Sequence, residues 1–396
     1  MKFLPYILKH LRRNWVRTLS TVLGMALCVF LIAVLQTVLV AMDASVRGAS
    51  PDRLATRHAV SLVFNMPYAY RSRISAVPGV RRVSPTNFFG GLPGSGGSAD
   101  FANFFANFAV EADTYFAMYP EYNLPRDQWD AFRADRRGAV IGRALSRKFG
   151  WNLGDTFQLE SFIPPYRVGR PFEFVVRAIY DADLVRYPAT NEMQMFFHFD
   201  YLYESTRRRA GVGTFMVQID DPARTAEIAR LIDEAFENSD VQTKTETEGA
   251  FIQSFNELAG NLVLLLNAIG LAVGFTVLLV TANTMSMAVR ERRTEIAVLK
   301  TLGFSSARVM GLIIGEAMVI AAAAGALGIG LANGLVSNLA DIPFLGAAVS
   351  QFPSLNVSPR LALGMFAVSL ALGTAAGAVP AWTAYRAKIV DTLRAA

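Results

Sequence analysis

VRERRTEIAVLKTLGFSSARV, residues 289–309, is the stretch on which the fold turns. It carries five Arg or Lys and two Glu. Before it stands LVLLLNAIGLAVGFTVLLVTANTM (262–285), and after it MGLIIGEAMVIAAAAGALGIGLANGL (310–335). Each run exceeds the ~20 apolar residues that carry a helix across a hydrocarbon core of ~30 Å. The chain therefore surfaces from a membrane, shows a short charged segment and re-enters.

Four runs reach spanning length: Leu19–Met42, Leu262–Met287, Val309–Leu335 and Leu361–Trp382. The chain of 396 residues is 53% hydrophobic with a mean hydropathy of +0.32, as expected of a membrane protein. The first run is too long for the apolar core of a signal peptide, about 7–15 residues, so it reads as a retained anchor. The fold class is thus a bundle of four transmembrane helices with a large α/β extracytoplasmic domain inserted between helices 1 and 2. The expected divisions are a cytoplasmic amphipathic helix 1–17, span 18–42, outer domain 43–256, span 257–288, cytoplasmic loop helix 289–306, span 307–336, short outer loop 337–359, span 360–383 and cytoplasmic tail 384–396.

Charge sets the orientation. Lys2, Lys9, Arg12, Arg13 and Arg17 precede the first span, Arg290, Arg292, Arg293, Lys300 and Arg308 fill the 289–309 loop, and Arg386, Lys388 and Arg394 follow the fourth span. The short loop on the other side offers only Arg360. The positive-inside rule places both termini and the loop helix in the cytoplasm, and residues 43–256 outside the inner (plasma) membrane. The net charge of +6 belongs to the cytoplasmic segments, which can meet anionic lipid, because residues 43–256 hold 24 basic and 26 acidic groups. Nucleic acid is not an expected partner. The only cysteine, Cys28, lies inside the first span, so the outer domain is no disulfide scaffold.

Within 1–17, Phe3, Leu4, Ile7, Leu8, Leu11 and Trp15 recur at helical spacing among basic residues. This suits an interfacial helix, or an ordinary charged flank of the anchor. In the outer domain GAVIGRALSRKFGWNLGDTFQLESF predicts a short strand, a helix over Arg143–Phe149, a turn at Asn152–Asp155 and a strand from Thr156. A second such unit has a strand at Thr214–Ile219, a helix started by Asp221–Pro222 and reaching Phe236, and a strand near Val241. The loop GGLPGSGGS (90–98) lacks the Lys-Ser/Thr pair that completes a phosphate-binding loop. After it crowd Phe101, Phe104, Phe105 and Phe108, either as a core-facing element or as a surface for an apolar cargo or partner.

Catalytic chemistry is missing from the pattern. His10, His58 and His198 are scattered, and no H-E-x-x-H, C-x-x-C or G-x-S-x-G occurs. No catalytic, cofactor-binding or metal-ligating residue is expected. In the spans Gly270–Gly274, Gly311–Gly315, Gly330–Gly334 and Gly373–Gly377 fit G-x-x-x-G, which lets helices approach closely. Glu316, deep in an apolar run, is expected to reach an arginine such as Arg308 or a water-filled gap, in a packing role rather than as a proton relay.

From Arg290 to Leu302 the loop itself reads as a short helix. Ile296 and Leu299, with Leu302 extending them, form an apolar ridge with Val298 beside it, and Arg292, Arg293, Glu295 and Lys300 lie around the other faces. Gly303 ends it, and Ser305 or Ser306 caps the next helix. Such a ridge suits a groove on a cytoplasmic protein, whereas a plain connection with topogenic charge needs arginine alone.

RERRTEIAVLKTLGFSSARVMGLIIGEAMVIAAAAGALGIGLANG (290–334) resembles the signature of MacB/FtsX-type ABC transporter permeases. There R-x-x-E-I-x-x-L-(K/R)-x-(L/I)-G precedes a helix with E-A and a Gly-rich run. VPAWTAYRAKIVDTLR (379–394) resembles the family's ending, with Val390 where the family has Pro, and GRALSRKFGWNLGDTFQL (142–159) resembles its outer-domain segment. The resemblance covers nearly the whole chain. It implies a permease subunit whose coupling helix docks on a separate cytoplasmic ABC ATPase, since the sequence has no Walker A motif and residues 1–17 leave no room for a fused ATPase. The expected ATPase contacts are Arg293, Glu295, Ile296, Leu299 and Lys300. The chain itself would bind no cofactor, with ATP and Mg on the partner. The resemblance further implies a second permease copy or homologue. Some family members add a periplasmic adaptor and an outer-membrane channel for efflux, others extract lipoproteins, and FtsX-like ones regulate envelope enzymes as mechanotransmitters. A lone membrane receptor with an outer sensing domain is the reading from another class.

Overall fold

The structure, a computed structural model, describes residues 13–94, 103–183, 186–187, 190–258, 262–338, 355 and 357–386. Most of the expected N-terminal amphipathic helix, Phe101, the tip of the 90–98 loop, nearly all of the 337–359 loop and the tail beyond 386 lie outside the described residues. In chain order the helices and strands are α1 (Trp15–Arg47), β1 (Arg53–His58), α2 (Tyr70–Ser75), β2 (Val80–Phe88), β3 (Gly91–Pro93), β4 (Ala106–Val110), α3 (Ala112–Met118), β5 (Tyr122–Asn123), α4 (Arg126–Ala134), β6 (Gly138–Gly142), α5 (Arg143–Phe149) and β7 (Thr156–Ser161). They continue with β8 (Phe172–Ala182), β9 (Gln194–His198), α6 (Phe199–Ser205), β10 (Thr214–Ile219), α7 (Thr225–Ala235), β11 (Thr243–Thr247), α8 (Glu248–Leu258), α9 (Leu262–Glu291), α10 (Arg293–Thr301), α11 (Ser306–Ser337) and α12 (Pro359–Arg386). The chain divides into two units, one of residues 1–39, 261–337 and 356–396, the other of 40–260 and 338–355.

In the first unit four helices are long and apolar enough to cross a membrane: Trp15–Ala44, Leu264–Glu291, Ser306–Ser337 and Pro359–Arg386. Small residues set their spacing. A Cβ at Gly373 of α12 would overlap the Ala321 Cβ of α11, and one at Gly377 would stand 2.9 Å from the Ala317 Cβ. Ser369 of α12 donates to the Ala321 carbonyl at 2.7 Å along the same seam. This is the close approach that G-x-x-x-G permits. Gly270 and Gly274 meet only Ile32 of α1, at an ordinary 4.0 Å. Gly315 is half-buried, while Gly311, Gly330 and Gly334 face open space. A closer approach involves a residue outside these motifs. At Gly328 of α11 a Cβ would lie 2.6 Å from the Ala26 carbonyl of α1.

The second unit is built on an eleven-stranded mixed sheet, ordered β11-β1-β10-β2-β4-β9-β6-β8-β7-β3, with β5 pairing off this path with β8. β4 runs parallel to β9 and β6 parallel to β8, while the other pairs are antiparallel. Both faces are covered, and strands such as β6 (GAVIG) are buried along their whole length. On β9, Met195 and Phe197 enter one core cluster and Phe196 the other. Between Ala139 and Val140 the β6–β8 register shifts by one residue at Arg177. As a bulge requires, the side-chain parity of β8 then reverses: Phe172, Phe174 and Val176 face one cluster, Ala178 and Tyr180 the other.

Both expected strand–helix–strand units form. α5 ends on Gly150 at φ +69°, Asn152 N–H bonds Asp155 at 2.8 Å, and β7 begins at Thr156. Asp221 caps its turn by accepting from the Ala223 N–H at 2.9 Å. In each unit another strand lies between the two strands in the sheet. Phe104 and Phe105 are buried, so the described part of the aromatic crowd faces the core. Where the chain enters and leaves this unit, Arg53 at the start of β1 pairs with Glu248 at the start of α8 (2.7 Å) and with Glu121 (2.8 Å). Tyr119 donates to Glu248 at 2.8 Å, and burial pushes the Glu121 carboxyl above its usual range.

Candidate functional site

The loop between α9 and α11 is a helix of nine residues, α10, flanked by Arg292 and Gly303. Gly303 sits at φ +93°, a left-handed conformation that favours glycine, and it turns the chain towards α11. Ser305 then caps α11, its hydroxyl facing the Arg308 N–H at 3.4 Å.

One face of α10 is spent inside the chain. Ile296 is only 9% exposed and packs with Val309 and Ile313 of α11 and with Ala381 and Ala384 of α12. Leu299 lines a cavity of about 50 Å³ with Met285, Val289, Ile313 and Glu316. Lys300 reaches α12, donating to the carbonyls of Ala384 (2.9 Å) and Tyr385 (3.4 Å). Burial holds the Lys300 ammonium below its ordinary pKa.

Ion pairs complete the inner face. Glu295 pairs with Arg13 at 2.7 Å, and Arg17 forks onto both oxygens of Glu291 at 2.6 and 2.7 Å. Arg292 forks onto Glu316 of α11 at 2.8 and 3.2 Å, each side chain only 14% exposed. Glu316 therefore has a packing role as expected, but its partner is Arg292 rather than Arg308. The distinction is physical, because Arg292 stands at the break between α9 and α10 and points back along the spans.

The opposite face is open. Arg293, Thr294 and Thr301 are exposed, Val298 is 47% exposed and Leu302 72%. Thr294, Val298 and Leu302 follow one another at four-residue steps, so they share a stripe along the helix. Of the five contact candidates, Ile296, Leu299, Glu295 and Lys300 turn inward and only Arg293 stands on the open side. The apolar residues that reach solvent are Val298, expected beside the ridge, and Leu302, expected on it but turned outward at 72% exposed. Arg13, Arg17 and Glu291 were missed. Their signal was present as two arginines four apart and two glutamates, 291 and 295, four apart.

Comparison with known proteins adds the following. The family model of the MacB-like periplasmic core domain matches residues 18–235, and that of the FtsX-like permease C-terminal region matches residues 267–389. Among solved structures, the periplasmic region of MacB from Actinobacillus actinomycetemcomitans aligns over 53% of this chain and 95% of its own, with TM-score 0.37 and 10% identity. The extracellular domain of the noncanonic ABC-type transporter YknZ from Gram-positive bacteria aligns over 49% of this chain and 100% of its own, with TM-score 0.34 and 12% identity. No curated protein matches the sequence.

Proposed function

Since this chain belongs to the MacB/FtsX-type ABC transporter permeases, a family whose membership implies a cytoplasmic ABC ATPase partner, we propose that α10 is where the ATPase docks and drives it. The permease passes that motion through its spans to the domain 43–256, for export or extraction of an envelope substrate. The observation that carries this reading is the two-sided loop helix. Its inner face is tied to the bundle by Ile296, Lys300 and the glutamates, while its outer face leaves Val298 and Leu302 uncovered. A lone receptor has no use for a rigid, anchored helix with an apolar stripe towards the cytoplasm.

The basic asymmetry of the short segments supports cytoplasmic termini in the inner membrane, with the outer domain across it. ATP and Mg belong to the partner, and a second permease copy or homologue completes the assembly, joined in efflux systems by an adaptor and an outer-membrane channel. The match to the MacB-like periplasmic core favours transport over the control of an envelope enzyme. The test is purification of the tagged permease from membranes holding its untagged partners. An ATPase subunit should be retained, and the permease stripped of it should hydrolyse no ATP. Turnover by the stripped and repurified permease, or its isolation with no ATPase bound, overturns the reading.

A further inference from the structure

The backbone joins α10 directly to two of the four spans, α9 before it and α11 after it. The other two are joined to the α9–α10 segment by side chains. Lys300 holds α12 at Ala384, while Arg17–Glu291 holds the first turn of α1 and Arg13–Glu295 the residues just before it. We propose that Arg17 and Glu291, seconded by Arg13 and Glu295, are positioning residues that make α1 move as one body with the loop helix. The proposal rests on the reading above and says which span receives the motion through side chains.

The geometry favours a clamp over a pair of incidental surface bridges. Arg17–Glu291 is bidentate, so it fixes direction as well as distance. Arg17 lies in the first turn of α1 and Arg13 just before it, and their partners, Glu291 at the end of α9 and Glu295 on α10, are four residues apart. A single bridge lets a helix swivel about it, whereas two spaced along the axis oppose both swivelling and sliding. Beyond the clamp α1 is one unbroken helix of 33 residues, about 50 Å at 1.5 Å per residue. It ends at Arg47, and β1 of the outer domain begins at Arg53.

Each pair is partly exposed, so the clamp contributes little to stability and its role is positional. That makes it separable from folding. The experiment uses the full-length permease in lipid nanodiscs, with Cys28→Ala and spin labels at Ser20→Cys on α1 and Ser305→Cys after α10. The distance is read without partner, with the ATPase, and with the ATPase trapped by ATP and vanadate. One narrow distance, unchanged across the three states, is expected. Arg13→Glu with Arg17→Glu should broaden it in every state. Exchanging the charges, Arg17→Glu with Glu291→Arg, should restore a narrow distance. About 1 M salt, where screening falls to ~3 Å, should broaden it in the parent, which apolar packing alone would not do. The proposal is overturned if the double Arg→Glu variant keeps the narrow distance, or if the exchange leaves it broad. If the parent retains no ATPase, the reading above falls instead. The distance and its salt dependence in the lone permease then still decide the clamp.

Discussion

Cutting back the open face of α10 is the sharpest test of the proposed docking, and its size follows from exposure. Fully burying a Leu or Val side chain is worth about 1.5–3 kcal/mol. Leu302 has 72% of its surface still to bury, so covering it gives roughly 1–2 kcal/mol. Val298, at 47%, gives roughly 0.7–1.4 kcal/mol. Together they amount to about 2–3.5 kcal/mol, or roughly 30- to 300-fold in affinity at about 1.4 kcal/mol per decade. The double variant Val298→Ala, Leu302→Ala should weaken ATPase binding by that factor, with Leu302→Ala supplying the larger share. Val298→Asp should do at least as much, since an unpaired charge is costly in a desolvated contact.

The assay is a titration of the purified ATPase against permease in nanodiscs, with melting of the permease alone measured in parallel. The melting control separates the two faces. Ile296→Ala removes a buried side chain, a loss of about 2–5 kcal/mol inside the chain, and should lower the melting temperature of the permease itself. Leu302→Ala should change it far less, because Leu302 is 72% exposed in the lone chain, and Val298→Ala, at 47% exposed, should fall between the two. If the double variant binds the ATPase within about twofold of the parent, that stripe is not the contact and the reasoning from exposure fails.

The spans offer a matched pair of substitutions. Gly373→Val forces side-chain atoms into Ala321 and should destabilise the membrane unit by about 1–3 kcal/mol, whereas Gly330→Val faces open space and should leave detergent melting of the monomer unchanged; equal effects would refute the α11–α12 seam. In the outer domain His198 stacks on Phe132 and contacts its carbonyl oxygen at 2.8 Å, and burial lowers its pKa. The folded state therefore binds this proton less readily than the unfolded one, so the contribution is complete above about pH 6.5 and declines as pH falls from there towards the lowered value. His198→Gln should flatten the fall in melting temperature between about pH 6.5 and 5.5, and a slope equal to the parent's would refute it.

The fold was legible wherever one residue or one period dominates the local energy. A run such as 262–285 has no use for water, so its length alone announces a span. Asp221 and Gly303 act through their own backbone or nearest neighbours, and the turns they make were readable at their positions. Arg53 is the opposite case. Its partners Glu248 and Glu121 are remote in sequence, and nothing in RLATRH distinguishes it from a solvated arginine. The strand pairings failed to show for the same reason, since β1 lies between β10 and β11 only because of contacts made across the whole domain.

The loop helix shows where sequence reasoning about a face must stop. In RTEIAVLKTL, Ile296 with Leu299 and Val298 with Leu302 are both apolar pairs at helical spacing. Period alone cannot say which turns inward. The choice is made elsewhere, by Ala381 and Ala384, whose small side chains leave room for Ile296, and by the Ala384 and Tyr385 carbonyls, which accept from Lys300. Once Ile296 is seated there, Val298, two residues on, is turned about 200° from it and away from the bundle. Two apolar pairs at one helical period can therefore face opposite ways, and only the neighbours in space assign each residue to its side.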